Sequence, residues 1–215
     1  MGIGIIGQGF VGNAVYQKFK NYYDIKTFDI KGMMYCNSRE QETMSCDVVF
    51  ICLPTPMNQD GSCHTDIVEE AVASISGLSK GNIVVIKSTI PPGTVAKWNK
   101  RYDNLNIVFN PEFLTEANAV KDYEDQTRII LGGPRKSTTK LKPLFSKAFP
   151  KAHIIKTDST YAEMIKYVTN CFLATKVSFA NEMYDICEGL GVDYDKVIEY
   201  ATYDERLGTS HWSVP

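Results

Sequence analysis

A chain of 215 residues, 44% hydrophobic and 22% charged, has the composition of a folded globular protein rather than a disordered or fibrous one, and its length suits one domain plus an appendage. A formal charge of -2 without any block of lysine and arginine argues against nucleic acid or an anionic membrane as the main partner. The six cysteines, Cys36, Cys46, Cys52, Cys63, Cys171 and Cys187, form no C-x-x-C pair. They are therefore read as reduced thiols with no metal site, in a cytoplasmic protein that lacks a leader or a membrane-spanning run.

Short apolar runs alternate with amphipathic stretches over the first three-quarters of the chain, the pattern of a parallel sheet covered by helices. Strands are expected near Ile3 to Ile6, Ile25 to Phe28, Val48 to Leu53, Ile83 to Lys87, Ile107 to Phe109, Arg128 to Leu131 and His153 to Ile155. Between them, Asp66 to Ser76 reads as a helix through the four-residue spacing of Ile67, Ala71 and Ile75. The pattern changes near Thr157. From there to Glu188 no breaker occurs, and Gly189 and Gly191 then supply a stop, so one long helix is expected, with Thr160 and Glu163 as its capping box. Its apolar residues fall on two faces, Val168, Phe172, Thr175, Phe179 and Ile186 against Leu173, Val177, Ala180 and Tyr184. A helix apolar on two sides needs two covers. A short helix from about Tyr194 to Ala201, capped by Asp193, opens the tail. The expected fold is α/β: a Rossmann-type doubly wound parallel sheet in residues 1–157, then a long central helix and short helical tail in 158–215.

The first strand runs into Gly7-Gln8-Gly9-Phe10-Val11-Gly12 and then a helical stretch, which is G-x-G-x-x-G in its strand, turn, helix context. Gly7 permits the tight turn, Gly9 lets a pyrophosphate approach the backbone, and Gly12 allows close helix packing. Phe10 and Val11 open the helix whose N-terminus would hold the anion. Asp29 ends the second strand. It either caps a surface loop or bonds both ribose hydroxyls of an adenosine, which would favour NAD over NADP.

Three later segments each follow a strand at its C-terminal end, the edge where such sheets bind ligands. They are Leu53-Pro54-Thr55-Pro56, Lys87-Ser88-Thr89-Ile90-Pro91-Pro92-Gly93-Thr94 and Asn110-Pro111-Glu112-Phe113-Leu114-Thr115-Glu116. On the long helix Lys166 and Asn170 stand four apart on one face, continued by Leu173 and Val177. A lysine on an apolar stripe either snorkels to the rim or serves a site.

These segments, followed in order by Glu163 to Asn170, Asn181-Glu182, Gly189 to Asp193 and Arg206-Leu207-Gly208, resemble the UDP-glucose dehydrogenase family over essentially the whole chain. Pro111-Glu112-Phe113 stands where the N-acetylated-sugar branches carry Pro-Glu-Arg, so the resemblance implies a glucose-like or mannose-like nucleotide sugar. It implies two successive NAD-dependent oxidations of the sugar's C6 alcohol to the acid, through an aldehyde and a cysteine thioester. Thr55, Pro56, Thr89 and Glu116 would then stand at the cofactor, with Thr55 and Thr89 lining the nicotinamide and catalytic-water region. Glu112 would assist acid/base chemistry or thioester hydrolysis. Lys166 and Asn170 would stabilise oxygen anions at C6, with Phe113, Leu114, Glu116 and Arg206 toward the sugar. The two apolar faces of the long helix predict a homodimer built on it, and the resemblance implies that the second copy's Arg206 reaches the sugar site.

The family's nucleophile lies in a G-F-G-G-x-C segment shortly after the arginine-leucine-glycine stretch, and none of the six cysteines has that context. The chain is therefore expected to be the cofactor half of such an enzyme, completed by further sequence or by a separate C-terminal polypeptide. Two other readings stay open: a non-catalytic NAD-binding module, and a hydroxyacid dehydrogenase of the 6-phosphogluconate or 3-hydroxyisobutyrate type.

Overall fold

The computed structural model describes residues 1–32, 36–78 and 81–214, so Pro215 at the end of the expected tail lies outside them. Two compact units emerge, Met1–Lys166 and Tyr167–Pro215. In the first, β1 (Ile3–Ile6), α1 (Phe10–Phe19), β2 (Ile25–Phe28), α2 (Glu40–Met44), β3 (Val48–Ile51), α3 (Asp66–Leu78), β4 (Ile83–Ile86) and α4 (Thr94–Arg101) follow one another. Then come β5 (Asn106–Phe109), α5 (Ala119–Glu124), β6 (Arg128–Gly132), α6 (Arg135–Ala148) and β7 (His153–Thr157). A long helix, α7 (Ser159–Leu190), begins in this unit, and α8 (Tyr194–Ala201) follows it in the second.

The strands lie in the order β2-β1-β3-β4-β5-β6-β7. β1, β3 and β4 are buried at every position, as their unbroken apolar runs require. Alternate side chains feed two cores. Ile3, Ile5, Phe50, Val85 and Val108 face Phe19 and Phe145 on one side, while Ile6, Val49, Ile51, Val84, Ile86 and Phe109 face Val72, Ile75 and Trp98 on the other. Phe19 anchors the first core, with its ring centroid 5.6 Å from Phe50 and 5.5 Å from Phe145. On α3 the buried stripe runs through Val68, Ala71, Val72 and Ile75. Ile67, expected on that stripe, is partly exposed instead and lines a groove described below.

The sheet is not parallel throughout. β5 meets β6 antiparallel at Phe109 opposite Gly132, whereas β6 and β7 are parallel to each other. The same register carried four residues outward sets Phe113 beside Arg128, whose guanidinium lies 4.6 Å from the Phe113 ring centroid. The reason lies in the connection. A parallel return needs a crossover that carries the chain back along the sheet, and α5, with six residues, advances only about 9 Å.

The capping box expected at Thr160 and Glu163 does not form. α7 already begins at Ser159, and the Glu163 carboxylate accepts the backbone N–H groups of Gly93 and Val95 instead. It therefore caps α4, whose own N-cap, Gly93, has no side chain to do so.

In the second unit the tail folds on Trp212. Its indole N–H donates to the Gly208 carbonyl at 2.8 Å, its ring lies 6.1 Å from that of Phe179, and the Tyr194 hydroxyl donates to its carbonyl at 2.7 Å. Asp193 caps α8 by accepting from the Lys196 N–H, as its position before the helix predicts. Of the two apolar faces expected on the long helix, Val168, Phe172, Phe179 and Ile186 are exposed, and Ala180 on the other is buried.

Candidate functional site

The sheet order reverses between β1 and β3, and crevices at such switch points, outside the C-terminal strand ends, are where open α/β sheets take ligands. Here a groove of about 710 Å³ opens between the turn after β1, the end of β2 and the turn after β3, lined in part by Gly9, Phe10, Asp29, Leu53, Pro54 and Ile67. Gly7 stands at φ 90°, a left-handed conformation that makes the sharp exit from β1. A Cβ on Gly12 would fall 1.8 Å from the Gly7 carbonyl oxygen, so only glycine lets α1 lie this close to the turn. The N-cap of α1 is Gly9, without a side-chain cap or an acidic residue in the first turn. Its free N–H groups are thus left for an anion.

Asp29 stands at the rim, where one carboxylate oxygen accepts the Gln8 N–H and the other the Lys31 N–H, each at 2.8 Å. These bonds join the β1 turn to the β2 end and fix the carboxylate's direction. Gly7, Gly9, Phe10, Val11 and Asp29, all singled out from sequence, line the same groove, and Gly12 lies against the turn that forms it.

The next two strand ends are knitted together. The Thr55 hydroxyl donates to the Thr89 carbonyl at 2.8 Å, and the Leu53 N–H donates to the Ser88 hydroxyl at 3.0 Å. Thr55 and Thr89 are thereby brought into one place, while Pro56 is exposed beside them. Burial pushes the neighbouring Cys52 thiol up to about 12, which keeps it protonated and a poor nucleophile.

After β5, Lys166 and Glu112 meet as a largely buried ion pair. The ammonium lies 2.6 Å from Glu112 Oε1 and also donates to the Glu112 carbonyl oxygen, while Glu112 Oε2 accepts the Leu114 N–H at 2.8 Å. The Phe113 ring covers the pair, 5.5 Å from the ammonium. Lys166 is only 4% exposed and does not reach the rim as a snorkelling lysine would. Glu116 is exposed at the start of the 3-10 turn Glu116–Asn118. Asn170 and Arg206 belong to the second unit and are both exposed there, Arg206 paired with Asp204.

Two buried groups near these strand ends were not among the site residues expected from the sequence, which gave Glu163 only the capping-box role. Lys87 donates to Asn110 Oδ1 at 3.0 Å, and Glu163 receives the two N–H groups of the α4 turn. Burial pushes the Lys87 ammonium down to about 8 and raises the Glu163 carboxyl, against which its two N–H bonds act only in part. A lysine directly after the apolar run Ile83–Ile86 was a visible signal, because no charged residue can end a central strand unnoticed.

The chain is similar to known proteins in sequence and in fold. Residues 25–149 match the UDP-glucose/GDP-mannose dehydrogenase family, NAD binding domain, and residues 160–213 match that family's central domain. The UDP-glucose 6-dehydrogenase of Rickettsia bellii is 32% identical over 203 residues, covering 91% of this chain and 47% of that protein. A UDP-glucose dehydrogenase structure from Pyrobaculum islandicum is similar with a TM-score of 0.88 at 26% identity, over 98% of this chain and 58% of that one. A GDP-mannose dehydrogenase structure from Pseudomonas aeruginosa is similar with a TM-score of 0.85 at 25% identity, over 100% and 60%. The chain spans about half the length of the curated relatives it matches. No helix among the described residues is long and apolar enough to cross a membrane.

Proposed function

The chain belongs to the UDP-glucose/GDP-mannose dehydrogenase family, and on that premise we propose that it carries the cofactor-binding half of an NAD-dependent oxidation of a nucleotide sugar, UDP-glucose foremost, from its C6 alcohol to the uronic acid. The observation that carries this reading is one sheet edge with two chemistries: a glycine-turn groove with Asp29 at its rim, and a buried Glu112–Lys166 pair two strands along. Residues 1–157 form the NAD-binding domain, and residues 158–215 the central helix and the start of the dimerisation and substrate region.

The groove fits a dinucleotide. A Cβ on Gly9 would meet nothing within 4 Å, so the backbone there is open to a ligand, and the α1 N-terminus beside it favours phosphate. Gly7, Gly9, Phe10, Val11 and Gly12 hold the pyrophosphate, Asp29 the ribose, and Thr55, Pro56, Thr89 and Glu116 the far end. NAD bound there supplies the hydride acceptor.

Lys166 uses two of its three N–H donors on Glu112, which leaves one for an oxygen anion growing at C6. Asn170 supplies a second donor. Glu112 takes and returns the proton, because Lys166 and the Leu114 N–H each occupy one lone pair per oxygen and leave acceptor capacity over. Phe113, Leu114, Glu116 and the second copy's Arg206 orient the sugar. The thiol for the second oxidation comes from sequence outside these residues, in the same chain or a separate C-terminal polypeptide. The protein is a cytoplasmic homodimer, with Val168, Phe172 and Ile186 of the long helix covered by a second copy.

The test is complementation: the chain, a polypeptide carrying the family's C-terminal half, NAD and UDP-glucose, with reduced NAD followed by absorbance. Two reduced NAD per sugar are expected with both polypeptides, and a loss of about a hundredfold or more in Lys166→Ala. Full turnover by the chain alone, or none with both present, overturns the reading.

A further inference from the structure

Lys87 is 2% exposed at the C-terminal end of β4, and no carboxylate is paired with it among the described residues. An ammonium buried this way is costly, and a methionine would fill the same space at no desolvation penalty. What lysine adds is a donor and a charge. The donor goes to Asn110 Oδ1, at 3.0 Å, with the Tyr123 ring centroid 5.1 Å from the ammonium.

Asn110 is buried and held on three sides. Its N–H donates to the Ile86 carbonyl at 2.9 Å, its side-chain amide N–H donates to the Ile130 carbonyl at 2.8 Å, and its amide oxygen receives Lys87. The residue stands where the parallel ladder ends and β6 approaches antiparallel, so its amide closes a gap that regular pairing leaves open. Two residues on, after the buried Pro111, comes Glu112.

We propose that Lys87 is a positioning residue: by fixing the Asn110 side chain it holds the Asn110–Leu114 turn and so aims the Glu112 carboxylate at Lys166. The inference rests on the reading of Glu112 as the acid/base group and deepens it. Glu112 then has one lysine in contact and a second braced behind its own turn. Of the ionisable groups around Lys87, Cys52 and Glu112 favour its charged form and Lys166 opposes it, so the brace and the ion pair share one electrostatic environment.

Amide hydrogen exchange in the full chain decides the matter at the Leu114 N–H, which Glu112 Oε2 accepts, with the β4 amides of Val84 and Val85 as internal controls. In Lys87→Met we expect Leu114 to exchange about tenfold faster or more with the controls unchanged, the loss of one local hydrogen-bonded turn. Lys87→Arg, which keeps a donor and the charge, is expected to retain most of the protection. A space-filling lysine predicts the reverse order, since methionine matches it better in shape and polarity. Unchanged Leu114 protection in Lys87→Met, or better protection in Lys87→Met than in Lys87→Arg, overturns the proposal. Asn110→Leu removes the same bond from the other side together with the bond to the Ile130 carbonyl, so unchanged Leu114 protection in that variant also overturns the proposal if the Lys87 variants do not fold. Wild-type chain that fails to bind NAD would count against the proposed function alone, because the exchange measurement needs no cofactor.

Discussion

Glu163 and Lys166 stand one turn apart on α7, and their side chains hold the loops after two neighbouring strands. The Glu163 carboxylate takes the N–H groups of Gly93 and Val95 beyond β4, and the Lys166 ammonium takes Glu112 beyond β5. The first turns of the long helix thus serve as a clamp across the sheet edge, and geometry at Gly93 and Glu112 depends on side chains far away in sequence.

Glu163→Gln is expected to destabilise the chain by about 1–3 kcal/mol, because one of its two acceptors becomes an NH2 facing a buried N–H. Urea unfolding measures this. The pH dependence has a definite sign: burial raises the Glu163 carboxyl, so the folded chain holds this proton more tightly than the unfolded one. The contribution of Glu163 is then largest in acid and falls as pH rises through the folded value. The advantage of wild type over Glu163→Gln should narrow from pH 4 toward neutrality. A gap that widens instead would show that the N–H bonds outweigh burial.

Lys87 titrates in the opposite sense to a paired lysine. Burial lowers it from 10.5 to about 8, so between those values the unfolded chain binds a proton that the folded chain has lost. Below about pH 8 both forms are protonated and the full cost is present; stability relative to Lys87→Met rises as pH climbs toward 10.5, by up to about 3 kcal/mol. Unfolding free energies of the two proteins over this range provide the check. A flat difference would mean that Lys87 keeps an ordinary affinity for its proton.

NAD is expected to bind on the order of tenfold or more tightly than NADP, because the fixed Asp29 carboxylate would confront a 2′-phosphate. Calorimetry with both cofactors decides it. Asp29→Ala should weaken NAD and narrow the ratio; an unchanged ratio would show that another group reads the ribose.

Phe172 is 68% exposed on the long helix, and a row of such side chains on one face calls for a cover. Sedimentation should find a dimer, and Phe172→Glu should shift it to monomer without altering helix content. A wild-type monomer over the whole concentration range would refute the assignment of this face.

The amino-acid order alone determined the elements and the first half of the site, because the signals involved are local. The unbroken apolar runs of β1, β3 and β4, the glycines between β1 and α1, and an aspartate at a strand end are each legible within a few residues, although the Gln8 N–H that orients Asp29 is not. Loop motifs at Thr55, Thr89 and Glu112 could be read as sharing an edge because parallel strands end on the same side. Tertiary structure alone decided the partners. That Glu163 caps α4 rather than α7, that Lys166 is buried on Glu112, and that Lys87 reaches Asn110 are contacts between segments far apart in the chain. No periodicity encodes which distant backbone group a carboxylate or an ammonium will find. The exposure of Ile67 escaped for the same reason, since it follows from how α3 seats on the sheet, whereas the antiparallel return of β6 follows from the short connection through α5.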